Sequence, residues 1–382
     1  MKRIYFDHSA TTPVDPRVAE VIREMFLEKF GNPSSLHSFG TEAKDALEEA
    51  RAKVATILHC SPAEVYFTSG GTEADNIALR GYSLQHRDSG NHIIVGSIEH
   101  PAVRNSATEL EDLGFNVTLV AADKYGEIHP EAVADSITDD TILVSVMHVN
   151  NEVGTINDIG SIGSLCRERG ITYHTDAVQS YGKVPLDVQA MSIDMASVSS
   201  HKIYGPKGVG ALYLREGIKV HPLFYGGHQE NGVRIGTENL PGIVGLGKAA
   251  EICTVEMNDE AIRLSGLRDA LYQRLTDELD DIYLNGHHTR RLPGNLNLTI
   301  SNIEGEALLM ALDLAGIAVS SGSACSSGSK DPSPILLGIG LSPEEAHSTM
   351  RITLGRENTE DDIEYAADVI ISTVKRLRAM AG

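Results

Sequence analysis

An α/β fold built on a mostly parallel sheet, followed by a smaller α+β unit, is the class this sequence predicts. Three observations carry that expectation. Strand-like apolar runs alternate with helical patterns across residues 60–215, which marks parallel strands covered by helices on both faces. A long helical stretch then follows NLPGIVGLG. From Tyr283 the pattern changes to strands and helices of a different order. At 382 residues the chain exceeds one simple core, so two domains are expected.

The elements read in order as follows. Residues 1–15 form an extended arm punctuated by Pro13 and Pro16, with a helical pattern through Phe30. GNPSSLHSFG is a loop, and TEAKDALEEARAKVATIL an amphipathic helix capped by Thr41. AEVYFTSGGTEADNIAL reads as strand, glycine turn and helix. The runs HIIVGSIEH, NVTLVAA, TILVSVMHV, ITYHTD, MASVSSH and VGALYL are strands, separated early on by the helices AVRNSATELEDLG, PEAVADSI and IGSIGSLCRERG. Helical pattern continues, with interruptions, to about Leu279. GNLNLTIS, IAVSSGS and MRITLG are strands of the second unit, and EGEALLMALDLAG and TEDDIEYAADVIISTVKRLRAM its helices. The expected division is a large domain over 15–262, and a small domain over 1–14 and 263–382.

Composition narrows the function classes. A net charge of −21 argues against general nucleic-acid binding, which needs a basic surface, and suits an ordinary cytoplasmic enzyme. No segment has the apolar length of a membrane span, and MKRIYFDHSATTP lacks the apolar core of an export signal. Cys60, Cys166, Cys253 and Cys325 are scattered without CxxC spacing, which argues against disulfides and a closed zinc site and suggests a reducing compartment.

The chemistry centres on residues 174–202. Asp176 ends one strand-like run and Lys202 follows another. An acid and a lysine at strand ends suit a pyridoxal phosphate (PLP) enzyme. The lysine holds the cofactor aldehyde as a Schiff base, and the carboxylate keeps the pyridine nitrogen protonated. Ser199 and His201 offer donors to the phosphate, and Gln179 can reach the ring hydroxyl. In GPKGVG the glycines let the backbone turn sharply after the lysine.

Other motifs are weak singly and consistent together. TSGGTEADN puts Thr72 at a helix start, where free N–H groups bind phosphate, although such turns are often only turns. His100 follows a strand, where it either caps a helix or stacks on the ring and moves protons. Asn151, at another strand end beside Glu152, either forms a plain Asn–Glu turn or orients the ring hydroxyl or the substrate. Thr237 lies in a polar glycine loop and can give a hydroxyl to phosphate. Arg351, at a strand start with Arg356 soon after, suits either a structural salt bridge or bidentate binding of a substrate carboxylate. Cys325 sits among Gly and Ser in SSGSACSSGS, the surroundings of a reactive thiol on an exposed loop. The other three cysteines read as packing residues.

In chain order, YFDHSATTPVDPRV, FGNPSSLHSFG, FTSGGTEADN, EHPAV, HVNNEVGTI, HTDAVQ, SSHKIYGPKGVG, RIGTENLPGIVGLG, SSGSACSSG and MRITLGREN resemble the cysteine desulfurase family, PLP enzymes of fold type I on the class V aminotransferase scaffold. The resemblance spans nearly the whole chain and is nearest the NifS/IscS branch, whose thiol loop reads SSGSAC. It implies a large domain with a seven-stranded-type sheet and a homodimer with active sites near the interface. Lys202 matches the Schiff-base lysine, Asp176 the nitrogen partner, Gln179 the ring-hydroxyl partner and His100 the stacking residue. Thr72, Ser199 and His201 match the phosphate site, which Thr237 reaches from the partner subunit. Asn151 and Arg351 match substrate binders. Cys325 matches the residue that takes sulfur from L-cysteine as a persulfide, releasing alanine. The acceptor beyond it would be an iron–sulfur scaffold protein or a tRNA-thiolation route. The resemblance requires no metal, though in some relatives the matching cysteine ligates a cluster at a partner interface. Selenocysteine lyase and aminotransferase activities share this scaffold. The Cys325 loop separates them, because transamination has no use for the thiol. A scaffold protein without catalysis would have no use for Lys202 and Asp176.

Overall fold

The computed structural model describes residues 2–321 and 331–381; Cys325 lies outside them. The N-terminal arm carries strand β1 (Ile4–Tyr5). Helices α1 (Pro16–Leu27) and α2 (Ser38–Leu58) follow. α1 ends before Phe30, and α2 begins at Ser38 with His37 as its cap rather than at Thr41. The His37 Nδ1 accepts from the Gly40 N–H at 3.3 Å, which satisfies a helix-start donor three residues earlier than expected.

The large sheet is entered through β2 (Val65–Thr68), followed by α3 (Gly71–Asn76), a π-helical turn and α4 (Tyr82–Gln85). Then come β3 (His92–Gly96), α5 (Pro101–Asp112), β4 (Asn116–Val120), α6 (Pro130–Ser136), β5 (Thr141–Ser145) and α7 (Ile159–Arg169). The last three strands are β6 (Thr172–Asp176), β7 (Met195–Ser199) and β8 (Gly210–Leu214). The seven strands lie in the order β2-β8-β7-β6-β5-β3-β4. From β7 to β4 every pair is parallel, while β8 runs antiparallel to both its neighbours. Each residue of β3, β5, β6 and β7 is buried, the expected state of strands covered on both faces. One face packs against α2, α7 and the start of the long helix; α3, α4 and α5 cover the other.

That long helix, α8 (Leu240–Glu278), runs unbroken for 39 residues, or roughly 60 Å at 1.5 Å per residue. The expected interruptions are absent because its two ends are stabilised by different cores. Leu240, Leu246 and Cys253 belong to the large sheet's core, and Leu267, Leu271 and Leu275 to a second core. Ile262, at the expected domain edge, is exposed between the two stretches.

The second core contains β9 (Ile282–Asn285), a strand the sequence did not reveal, β10 (Asn295–Ile300), α9 (Gly305–Leu314) and β11 (Ile317–Ala318). The short helices α10 (Pro334–Gly338) and α11 (Pro343–His347), then β12 (Thr349–Thr353) and α12 (Glu360–Ala381), complete the chain. An antiparallel sheet runs β12-β10-β9, and β1 of the arm pairs in parallel with β11. Arm and second unit therefore fold together: Phe6 and Ile4 sit in the same core as Leu298, Ile352 and Ile370. No described helix is long and apolar enough to cross a membrane.

Candidate active site

Five loops leave the carboxyl ends of the large sheet's strands toward one cavity of about 480 Å³, within the range of small-molecule sites. β6 and β7 are neighbours in register, with Asp176 opposite Ser197. Asp176 therefore lies at the cavity floor, and the turn Ser200–Lys202 places the lysine at the same opening. Ser199, His201 and Gln179 line the cavity as well. So do Thr72, at the start of α3, and His100, the cap of α5, whose Nδ1 accepts from the Ala102 N–H at 3.1 Å. A Cβ on Gly71 would come within 2.6 Å of Val178, so this close approach of α3 to the loop after β6 requires glycine.

The second unit closes the cavity through Arg351, which sits in the middle of β12 rather than at its start. Its guanidinium is ion-paired to Asp7 at 2.8 Å and donates to the Asn151 carbonyl at 2.9 Å. The amide oxygen of Asn151 is buried without a protein hydrogen-bond partner among the described residues; Oδ1 of Asp75 also lacks a hydrogen bond among them but lies 3.7 Å from the His174 Nε2. Buried polar atoms need partners, so this cavity suits a polar occupant. A planar ring whose nitrogen meets Asp176 and whose aldehyde meets Lys202, with a phosphate toward Thr72, Ser199 and His201, fits that donor and acceptor set.

The Lys202 amine donates to the Ala10 carbonyl at 2.8 Å and to the Ser9 carbonyl. Those arm carbonyls were not legible as site groups. Asp75 and Glu99 were missed too, and both line the cavity. Burial pushes the Asp75 carboxyl well above the ordinary range, with Asp176 and Glu99 adding to it against a Ser197 hydrogen bond. Burial also raises Asp176, opposed by His100, the Val178 N–H and Lys202. A cationic ring nitrogen beside Asp176 would restore its charge. The acidic letters within TSGGTEADN and IEHP were the available signal.

Thr237 is exposed and does not line this chain's cavity. Cys325 lies outside the described residues, but both flanks of its segment are placed. Ser320 and Arg351 exchange backbone hydrogen bonds of 3.1 and 2.6 Å. Ser333 donates to the Glu152 carboxylate at 2.6 Å, and Pro334 and Ile335 line the cavity. Cys60 is half-buried, and Cys166 and Cys253 are buried.

Behind Asp75, the His174 ring is fully buried between Ser145 at 2.9 Å and Ser197 at 3.0 Å, and burial lowers its pKa to about 3. The folded chain keeps this ring neutral, whereas the unfolded chain protonates it below about pH 6.5. His174 stability is thus intact above that pH and is lost as pH falls toward 3. Measured against His174→Asn by urea unfolding, the native protein's advantage should shrink by about 1.4 kcal/mol per pH unit below about 6.5. The His174 Nε2 lies 3.7 Å from Asp75 Oδ1, so the difference reports the imidazole together with its effect on that carboxyl. A gap independent of pH would contradict the assignment.

The family model "Aminotransferase class-V" matches residues 4–366. "Cysteine desulfurase IscS" of Clostridium botulinum (strain Hall) is 49% identical over 382 residues, covering 100% of this chain and 96% of the relative. The protein of that name from Methanosarcina thermophila is 48% identical over 380 residues, covering 100% and 94%. Among solved structures, "NIFS-LIKE PROTEIN" superposes with a TM-score of 0.93 at 37% identity, covering 98% of this chain and 100% of that one. "SspA in complex with cysteine" gives 0.82 at 36% identity, covering 92% and 99%.

Proposed function

The chain belongs to the class-V aminotransferase family, and from that premise we infer that it is a cysteine desulfurase, converting L-cysteine to L-alanine and holding the sulfur on Cys325. The observation that carries the reading is the meeting of Asp176 and Lys202 at the ends of adjacent strands in one cavity. Both flanks of the Cys325 segment are fixed at its rim. Cys325 is the fourth residue after Ser321, so the chain between them can span at most on the order of 13 Å.

PLP, when bound, supplies the electron sink that makes the substrate's Cα–H bond labile. Lys202 would hold the cofactor aldehyde, and its amine is the base placed to take the substrate's α-proton. Asp176 holds the ring nitrogen's proton. Thr72, Ser199 and His201 bind the phosphate. His201 donates there as a neutral ring, since burial, then Lys202, Lys207 and Lys183, lower its pKa to about 4. Gln179 would serve the ring hydroxyl, and His100 would stack on the ring and move protons; both line the cavity. Asn151 and Arg351 orient the substrate, Arg351 sharing its charge between Asp7 and the substrate carboxylate.

Sulfur transfer is then a displacement at sulfur. The Cys325 thiolate forms an S–S bond to the substrate sulfur, and the C–S bond breaks with its electron pair going to carbon. A proton takes the vacated carbon position and alanine leaves. The sulfur is oxidised to the persulfide level as the carbon is reduced, so no outside oxidant is needed. A protein acceptor receives the persulfide sulfur in iron–sulfur cluster assembly or tRNA thiolation in the cytoplasm. A homodimer brings Thr237 of a second copy to the phosphate; the exposed side chains of Leu27, Phe30, Leu36 and Phe39 support such a contact.

One mixing experiment tests this. PLP-loaded protein is given L-cysteine while visible absorption, alanine and protein persulfide are followed. The expected result is a shifted band, stoichiometric alanine and a persulfide mapped to Cys325. A band without alanine or persulfide would move the assignment to another substrate of the same fold.

A further inference from the structure

A second lysine stands behind the first. Lys183 follows β6 in the same loop as Gln179, and its amine donates to the Gln179 Oε1 at 3.4 Å. The other end of that amide, Nε2, donates to the Ser9 carbonyl at 3.0 Å. Ser9 O is also an acceptor for the Lys202 amine. An unbroken path therefore runs from Lys183 through Gln179 and Ser9 to Lys202. It fixes which way the Gln179 amide points, because only its oxygen can accept from an ammonium.

Lys183 also forms part of the wall of a separate cavity of about 50 Å³, wedged between the arm, α8 and β12. Ser9 lines both cavities, so the wall between them is a single layer of side chains. We propose that Lys183 is a positioning residue for Lys202: through Gln179 and Ser9 it orients the reacting amine, and its ammonium charge drives the proton off the Lys202 nitrogen. This rests on the desulfurase reading and adds to it a residue that sets when Lys202 can act as a base.

The charges around Lys183 leave it poised to do this. Burial, then the charges of Lys202 and Arg351, lower its pKa to about 7. From the arm it faces His8, which burial lowers to about 4 and so keeps neutral. His201, on the turn carrying Lys202, is likewise neutral. From α8 come the Cys253 thiol, raised by burial to about 11 and thus uncharged, and Glu260, paired to Arg263 at 2.7 Å. Beyond β12, Arg356 is paired to Asp15 at 2.9 Å. Among the described residues nothing facing Lys183 offers it a carboxylate of its own, so its charge changes near neutrality and is felt by Lys202.

The sign follows. Below about pH 7 the charged Lys183 disfavours a proton on the Lys202 nitrogen; above it that repulsion is gone. Lys183→Arg keeps the charge at every working pH, with the neighbouring cavity to receive the larger head group. Lys183→Met removes it. The readout is the pH midpoint of the absorption band of bound PLP, which reports the proton on the nitrogen joined to Lys202. The Met variant's midpoint should lie above the Arg variant's by about one pH unit. The unaltered protein should follow the Arg variant on the acid side and the Met variant on the alkaline side. A purely packing role would weaken cofactor retention in both variants without ordering their midpoints. Should Lys183→Met fail to hold PLP, Lys183→Gln provides the neutral arm and the same ordering decides. Coincident or reversed midpoints overturn this inference alone. No band in the unaltered protein, after PLP is supplied, overturns the desulfurase reading and this inference with it.

Discussion

Lys202→Ala should lower alanine formation from L-cysteine by about four orders of magnitude or more. The side chain has two tasks that no neighbour can take over. In the proposed mechanism it is the amine that holds the cofactor aldehyde and the base for the α-proton. Lys183 cannot substitute, because its amine is directed to Gln179 on the far side of the Ser9 carbonyl. The fold should be little affected. The Lys202 amine makes its arm contacts from within an open cavity, and the arm is held independently by β1 pairing with β11 and by Ser9 N–H donating to Thr353 Oγ1 at 2.8 Å. Steady-state alanine assays beside a thermal melt separate the two effects. A variant that melts normally yet keeps turnover within tenfold of the unaltered protein would remove Lys202 from the mechanism.

The contrast between Lys202 and its carbonyl partners explains what the sequence could reveal. Alternation of apolar runs and helical patterns announced the parallel sheet, and strand ends announced where a ligand would sit, because ligands bind beyond the carboxyl ends of such strands. Asp176 and Lys202 were legible because each closes an apolar run and the two runs become neighbours, β6 and β7. Ser9 and Ala10 were not, because they act through backbone carbonyls, which carry no residue signature, from a point about 190 residues away in sequence. Asp75 and Glu99 were hidden for another reason. An acid in a helical or strand-end stretch reads as surface charge until burial is known, and burial is a property of the fold. The antiparallel β8 and the short β9 escaped because strand direction and pairing partners are set by tertiary contacts rather than by the local pattern. Thr237, expected at the phosphate from a partner subunit, is exposed in the single chain and lies away from its cavity.

Cys325→Ser should abolish protein persulfide and reduce alanine formation by at least about three orders of magnitude, while leaving the absorption change on adding L-cysteine intact. Substrate binding and α-proton removal are assigned to Lys202, Asp176 and Arg351, none of which depends on the thiol. Sulfur removal does, because a serine hydroxyl is neither ionised at neutral pH nor a useful sulfur nucleophile. The remaining cysteines are poor rescuers. Burial raises the Cys60 and Cys166 thiols to about 12 and Cys253 to about 11, so each stays protonated at neutral pH, and the thiolate is the reacting form. None of the three lines the substrate cavity. Mass spectrometry of intact and digested protein after a single turnover reads both arms. Persulfide absent from the Ser variant and mapped to Cys325 in the unaltered protein would assign the sulfur to that thiol. Sulfide released by the Ser variant at an undiminished rate would mean that the C–S bond breaks without it, and that the segment between Ser320 and Ser333 serves some purpose other than carrying sulfur.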